Sequence, residues 1–233
     1  MTTSGSSESP APRPANGFIR FSTSEFPQAE RFQHFRDDLI RRLHWDATEL
    51  PDSEPDFVVD YLVSFPVVVI AARKMSAAHL SRAASVTDAK GKRFVLVCNT
   101  GHAHMEAGSN GMLVRLEQGG AILLDCRGPA DIKFGGGSSR ALLIEPAALA
   151  NALPVSGAAL NRPIAADHPA LTLLLSYLAA MDRTIGHIDR RTIDVIGRHM
   201  VDLVACAVGA SGEFGPNADS SGVRAARDRK SVV

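Results

Sequence analysis

The sequence predicts an α+β fold that is mainly β: a barrel or sandwich of about nine short strands, preceded by one helix and followed by an antiparallel helical hairpin. Three observations predict it. Between about residues 57 and 144, short β-like runs alternate with Gly-, Asn- and Pro-rich turn signals, the texture of a sandwich or barrel. On either side of that region the apolar spacing changes to three and four residues, the period of one helix face. Strand and helix patterns are segregated along the chain, which argues against alternating βαβ units.

Met1 to Asn16 are mostly Ser, Thr, Pro and Gly, with almost nothing apolar to bury, and read as a disordered tail. Phe18, Ile19 and Phe21 make a short apolar stretch. Phe32, Phe35, Leu39, Ile40 and Leu43 then recur on one helix face, and Pro27 suits the first turn, so a helix is expected over 27–43. Pro51 to Pro55 reads as a loop. The strand-like runs are Phe57–Phe65, Val67–Met75, His79–Thr87, Arg93–Asn99, His102–Ala107, Met112–Glu117, Ala121–Cys126, Asp131–Phe134 and Arg140–Ile144. Asp88–Lys92, Gln118–Gly120 and Gly135–Gly137 punctuate them, and Asn110-Gly111 has the chemistry of a two-residue hairpin turn.

From Pro146 the pattern is helical again. A short helix is expected over 146–153. Asp167 is expected to cap a long helix with Pro169 in its first turn, and Leu171, Leu174, Leu175, Leu178 and Met181 form its stripe. After a tight turn at Gly186, Ile193, Ile196, Met200, Leu203, Val204 and Ala207 mark a second helix over 189–208. Periodicity stops at Gly209. The expected organisation is a tail over 1–16, a barrel over 17–153, a helical hairpin over 154–210 and a linker over 211–233.

Composition narrows the function. The 233 residues carry 25 Lys+Arg and 25 Asp+Glu, so the basic excess of a stand-alone nucleic-acid-binding domain is missing. Hydrophobic residues are 45% and charged residues 21%, an ordinary globular balance. The longest apolar stretch, Phe57 to Ala72, is broken by Asp60, Ser64 and Pro66, so no membrane span is expected. Three scattered cysteines, Cys98, Cys126 and Cys206, make neither a disulfide framework nor a CxxC metal pattern. With no apolar leader near the N-terminus, a cytoplasmic setting is expected.

Several residues could carry chemistry. His102, His104 and Glu106 stand at spacing two, and imidazole and carboxylate suit zinc, iron or manganese. Metal-binding cupin barrels hold a similar HxH pair with a later Glu. Alternation argues against a metal here: with Ala103, Met105 and Ala107 turned into the barrel, the three candidate ligands turn outward. The strands from Met112 to Phe134 also contain no His. Cys98 lies inside an apolar run, where a thiol is a small core residue more often than a nucleophile. Ser138 and Ser139 follow three glycines but lack the Gly-Lys-Ser/Thr ending of a phosphate loop. A hairpin loop is expected there. Arg82, in an expected strand, could point inward and pair with an acidic ligand.

The order of elements resembles the N-terminal effector-binding and dimerisation domain of AraC/XylS-type transcription regulators, in their cupin-like version. Phe94-Val95-Leu96-Val97-Cys98-Asn99-Thr100-Gly101 is similar to that family's strand ending in Gly. Leu116 to Asp125 is similar to its L-x-x-G-D hairpin, with Gly120 in place of the Asp. Ala141 to Leu149 resembles the exit from the barrel. Asn161 to Leu171 and His199 to Ala205 resemble the two helices, and Gly222 to Arg227 the approach to a DNA-binding half.

The resemblance implies a cupin-like β-barrel or jelly roll that binds an unknown small-molecule effector, without enzymatic activity or a cofactor. The effector pocket is assigned to Arg82, Leu96, Cys98 and Met105. A homodimer is expected through the hairpin, with Ile196, Met200, Leu203 and Val204 at its interface. DNA contact is expected only through a C-terminal helix-turn-helix half, which this chain is expected to lack. The competing reading is a metal-dependent cupin enzyme using His102, His104 and Glu106.

Overall fold

The computed structural model describes residues 18–19, 23–43, 45–49, 58–64, 68–75, 77–83, 93–152, 159–184 and 189–213. The expected tail, the Pro51–Pro55 loop, the Asp88–Lys92 turn, the turn at Gly186 and the chain after Glu213 lie outside the described residues. The strands are β1 (Phe18–Ile19), β2 (Asp46–Glu49), β3 (Val58–Ser64), β4 (Val68–Met75), β5 (Ala78–Arg82), β6 (Phe94–Asn99), β7 (Met105–Ser109), β8 (Val114–Leu116), β9 (Ala121–Asp125), β10 (Ala130–Phe134), β11 (Gly137–Ile144) and β12 (Pro163–Ile164). The helices are α1 (Gln28–Leu43), α2 (Pro146–Ala152), α3 (Pro169–Thr184) and α4 (Arg190–Glu213).

Seven strands form one sheet in the order β1-β3-β4-β11-β6-β9-β12, and five form a second in the order β2-β5-β10-β7-β8. The pairings are antiparallel. The chain crosses repeatedly between the two sheets, giving the expected cupin-like sandwich. All nine expected strands form. The three additional strands carry weak patterns: β1 and β12 are two residues each at opposite edges of the larger sheet, and β2 is a short, polar edge strand.

Two apolar layers hold the molecule together. Between the sheets lie Val95 and Val97 of β6, Ile122 and Leu124 of β9, and Leu143 of β11, packed against Leu80, Met105, Ile132 and Phe134 of the smaller sheet. On the other side of the larger sheet, Leu96, Leu123, Leu142 and Ile144 pack against Leu171, Leu174 and Leu178 of α3 and Met200 and Val204 of α4. β6 is buried at all six positions. A strand covered on both faces reads as a continuous apolar run rather than an alternating one.

Local chemistry sets the connections. Asn110 (φ 56°) and Gly111 (φ 81°) form the tight turn their chemistry predicts, closed by the Met112 N–H donating to the Ser109 carbonyl at 3.2 Å. The connection is longer than two residues, because Met112 and Leu113 follow before β8 begins at Val114. Gly135–Gly137 does not close a hairpin, contrary to the sequence reading. It carries the chain from β10 in one sheet to β11 in the other, a crossing made at Gly136 (φ 98°) and Gly137 (φ 99°).

At the start of α3 the Thr172 N–H donates to the His168 carbonyl, so the helix begins from His168 rather than from Asp167. In α4 Asp189 is the cap: its Oδ1 accepts the Thr192 N–H at 2.9 Å and its Oδ2 accepts the Thr192 hydroxyl at 3.0 Å. These bonds hold the Asp189 carboxyl below its ordinary range. α4 also runs past Gly209 to Glu213. Glycine inside a helix costs only about 1 kcal/mol, and Ala207 and Val208 are anchored in the core just before it.

The β7–β8 turn supplies a stringent test. A Cβ added at Gly108 would lie 1.5 Å from the Met112 carbonyl oxygen. Gly108→Ala is expected to destabilise the protein by about 3 kcal/mol or more, because backbone cannot yield as a side chain does. Urea unfolding checks it; wild-type stability in the variant would contradict this turn.

Candidate functional site

Among the described residues, the side chains between the sheets are apolar except at the two ends of that space. At one end β5 alternates, so Arg82 joins Ala78 and Leu80 on the inward face and is 3% exposed. It pairs in register with Ala130, which pairs with Ser109, and all three are buried. Burial lowers the Arg82 pKa, because a charged guanidinium loses hydration there. Cys126 is close enough to feel that charge. Burial nevertheless pushes its thiol up to about 12, with Arg82 opposing the rise.

Beside them Asn161, held at φ 54°, accepts at Oδ1 both the backbone N–H and the hydroxyl of Ser109, each at 3.0 Å. This one side chain ties the segment before α3 to the end of β7.

Asn99 organises the opposite end. Its Nδ2 donates to the carbonyls of Ala103 at 2.9 Å and Leu116 at 3.1 Å, while its Oδ1 accepts the Gly101 N–H at 3.2 Å. Ser139, its register partner on β11, is 2% exposed. Its Oγ has no hydrogen-bond partner among the described residues. Ser139 shares the inward face of β11 with Ala141 and Leu143. A buried hydroxyl left without a partner is uncommon and costs about 1–3 kcal/mol.

The four residues assigned to a pocket from the sequence do not come together. Arg82 and Met105 face the space between the sheets. Leu96 and Cys98 lie on the other face of β6, packed against the helices. The inward positions of that strand are Val95, Val97 and Asn99. Cys98 is fully buried, and its thiol is pushed up to about 12 by desolvation, with Arg140 partly opposing. A thiol that basic supplies no nucleophile at neutral pH.

β7 begins at Met105, so His102 and His104 stand in the preceding turn rather than on a strand face with Glu106. Both histidines are exposed, and His102 Nδ1 is hydrogen-bonded to Gln118 Oε1 at 3.0 Å. Among the described residues no three His, Cys, Asp or Glu side chains are grouped to hold a metal ion.

The residues assigned to a dimer interface serve the chain itself. Ile196, Met200 and Val204 are buried in the layer between helices and sheet, and Leu203 is half-buried against it. The outer surface of the hairpin carries instead Leu173, 61% exposed, and Val195, 41% exposed. Tyr177 and His199 approach each other there, with ring centroids 6.4 Å apart.

Sequence comparison matches residues 65–208 to the AraC-binding-like domain. The chain belongs to that family. The AraC-like transcriptional activator CuxR shares the fold at a TM-score of 0.69 and 17% identity, over 82% of this chain and 70% of that one. Weaker likenesses are an HTH_3 family transcriptional regulator from Vibrio cholerae (TM-score 0.34, 11% identity, 52% of this chain and 66% of that one) and oxalate decarboxylase of Bacillus subtilis (TM-score 0.29, 9% identity, 42% and 29%). No curated protein matches the chain in sequence. Among the described residues, no helix of this AraC-binding-like chain is long and apolar enough to cross a membrane.

Thiol accessibility tests the burial of β6. Cys206 is exposed, whereas Cys98 and Cys126 are buried. At about pH 8 iodoacetamide should label one thiol per native chain, at Cys206, and all three only after denaturation. Rapid native labelling of Cys98, read by peptide mass spectrometry, would contradict the packing.

Proposed function

We propose that this AraC-binding-like domain is the effector-sensing and dimerisation domain of an AraC/XylS-like transcription regulator. One observation carries the reading beyond the family. β6, β9 and β11 form a single wall with the sandwich interior on one side and α3 and α4 on the other. A molecule held inside is therefore one strand's thickness from the helical hairpin.

The effector is a small acid, bound between the sheets with Arg82 as its charged contact. A guanidinium fork suits carboxylate or phosphate. Effector binding biases the hairpin to the extent that its affinity differs between two arrangements of the wall. The hairpin pairs with a second copy through its outer face, around Leu173 and Val195, under two-fold symmetry. DNA is reached through a helix-turn-helix half C-terminal to this domain, in a cytoplasmic setting. The basic thiols of Cys98 and Cys126 and the separation of His102 and His104 from the interior support a sensor rather than an enzyme.

Two measurements test this. At tens of micromolar the chain should sediment as a dimer. Leu173→Glu combined with Val195→Glu should give monomers with an unchanged circular dichroism spectrum, since both side chains are exposed. A monomeric parent would refute the assembly. In a thermal-shift screen of small carboxylates and phosphates, an acid should raise the wild-type midpoint by several degrees, as ligand binding to the native state requires. Arg82→Met should abolish that shift; a shift that persists in Arg82→Met would remove Arg82 from the site.

A further inference from the structure

Outside the sandwich, a cleft of about 300 Å³ opens between α2 and α4, lined by Ala148, Asn151 and Ala152 on one side and Arg198, Val201 and Asp202 on the other. Its volume is at the small end of the range for small-molecule sites. Val201 is 4% exposed and Ala148 packs against the same core, so the base of the cleft is apolar and firmly placed.

The rim carries one acid, one base and one amide. Arg198 Nε donates to the Asp194 carbonyl at 3.3 Å. Among the described residues that is the only hydrogen bond of the Arg198 side chain, and the side chains of Asp202 and Asn151 have none. Arg198 and Asp202 stand one helical turn apart without pairing with each other. The base lies N-terminal to the acid, the weaker order for such a pair.

We propose that this cleft binds a zwitterionic α-amino acid with a small aliphatic side chain. Its carboxylate meets the terminal nitrogens of Arg198, its ammonium meets Asp202, and its side chain rests on Ala148, Ala152 and Val201. Asn151, with both a donor and an acceptor, can serve either end. The two rim charges cancel, so a ligand carrying both signs satisfies both. A simple acid or a simple amine leaves one of them partly desolvated and unmatched. The open rim sets a modest affinity, with a dissociation constant on the order of 1 mM. The site is separate from the effector site between the sheets and does not depend on it. Its occupant would bridge α2, at the exit from the sandwich, to α4 of the hairpin.

The test is titration of the full ¹⁵N-labelled chain with L-valine and L-leucine, followed by NMR. Saturable shifts are expected at the amides of Ala148, Ala152 and Val201, with Val97 and Met105 unmoved. Isovalerate and isobutylamine, which each lack one charge of valine, should bind at least about tenfold more weakly. Arg198→Gln and Asp202→Asn should each weaken binding by a similar factor and leave the rest of the spectrum unchanged. The proposal is overturned if neither amino acid saturates by about 50 mM, if isovalerate binds as well as valine, or if both variants bind normally. Shifts centred on Val97 and Met105 would also overturn it, while leaving an effector site between the sheets intact.

Discussion

The structure depends on a wall of three strands, β11, β6 and β9, buried on both faces. One face closes the sandwich and the other is the seat of α3 and α4. Alternate residues of the same strand therefore belong to different cores: Val97 to the interior and Leu96 to the helical layer, Ile122 to the first and Leu123 to the second. Each such side chain is worth about 2–5 kcal/mol when a large aliphatic is cut to Ala. Neither layer can be rearranged without moving the backbone that the other shares, because packed interiors have little free volume to absorb a shift. For the sensing role proposed above this is the useful property, since the element that would line a ligand's site is also the one that positions the hairpin.

Polar contacts orient what the apolar layers hold. Arg140 on β11 grips both carboxylate oxygens of Asp182 on α3, joining the wall to the hairpin near the end of that helix. Arg93, just before β6, pairs with Glu145 at 3.0 Å, fastening the wall where the chain leaves for α2. On the far side, Arg36 of α1 binds Asp46 of β2 through two hydrogen bonds of 2.6 and 3.1 Å, and this hydrogen bonding holds the Asp46 carboxyl below its usual range. Ion pairs with access to water add little to stability. Their role is to fix angles between layers rather than to supply stability.

The nine main strands and the hairpin were legible in the sequence because turn chemistry and apolar period mark them directly. Asn110-Gly111 demands positive φ twice, and the Ile193–Ala207 stripe repeats at helical spacing. Which face each residue occupies was not legible in β6. All six of its side chains are buried, so period-two alternation leaves no trace to separate Leu96 and Cys98, on the helical side, from Val95 and Val97, on the interior side. The same limit applies to α4. Its apolar stripe is plain, but a stripe does not say whether its partner is the chain's own sheet or a second copy. Asn99 and Asn161 organise the two ends of the sandwich through side-chain bonds to distant backbone. In the sequence they are single polar residues in turn-rich stretches, with no period to single them out.

The central claim is that the sandwich and the hairpin are one cooperative unit built on the shared wall. Native-state hydrogen exchange with increasing denaturant measures this directly. Amides in the middle of β6, β9 and β11 should exchange only through global unfolding, and those facing the core in α3 and α4 should merge with them at the same free energy and the same denaturant dependence. Exchange of α3 and α4 through a separate opening, several kcal/mol below that of β6 and with a smaller denaturant dependence, would show that the hairpin rests on the sheet as an independent module and would contradict the account.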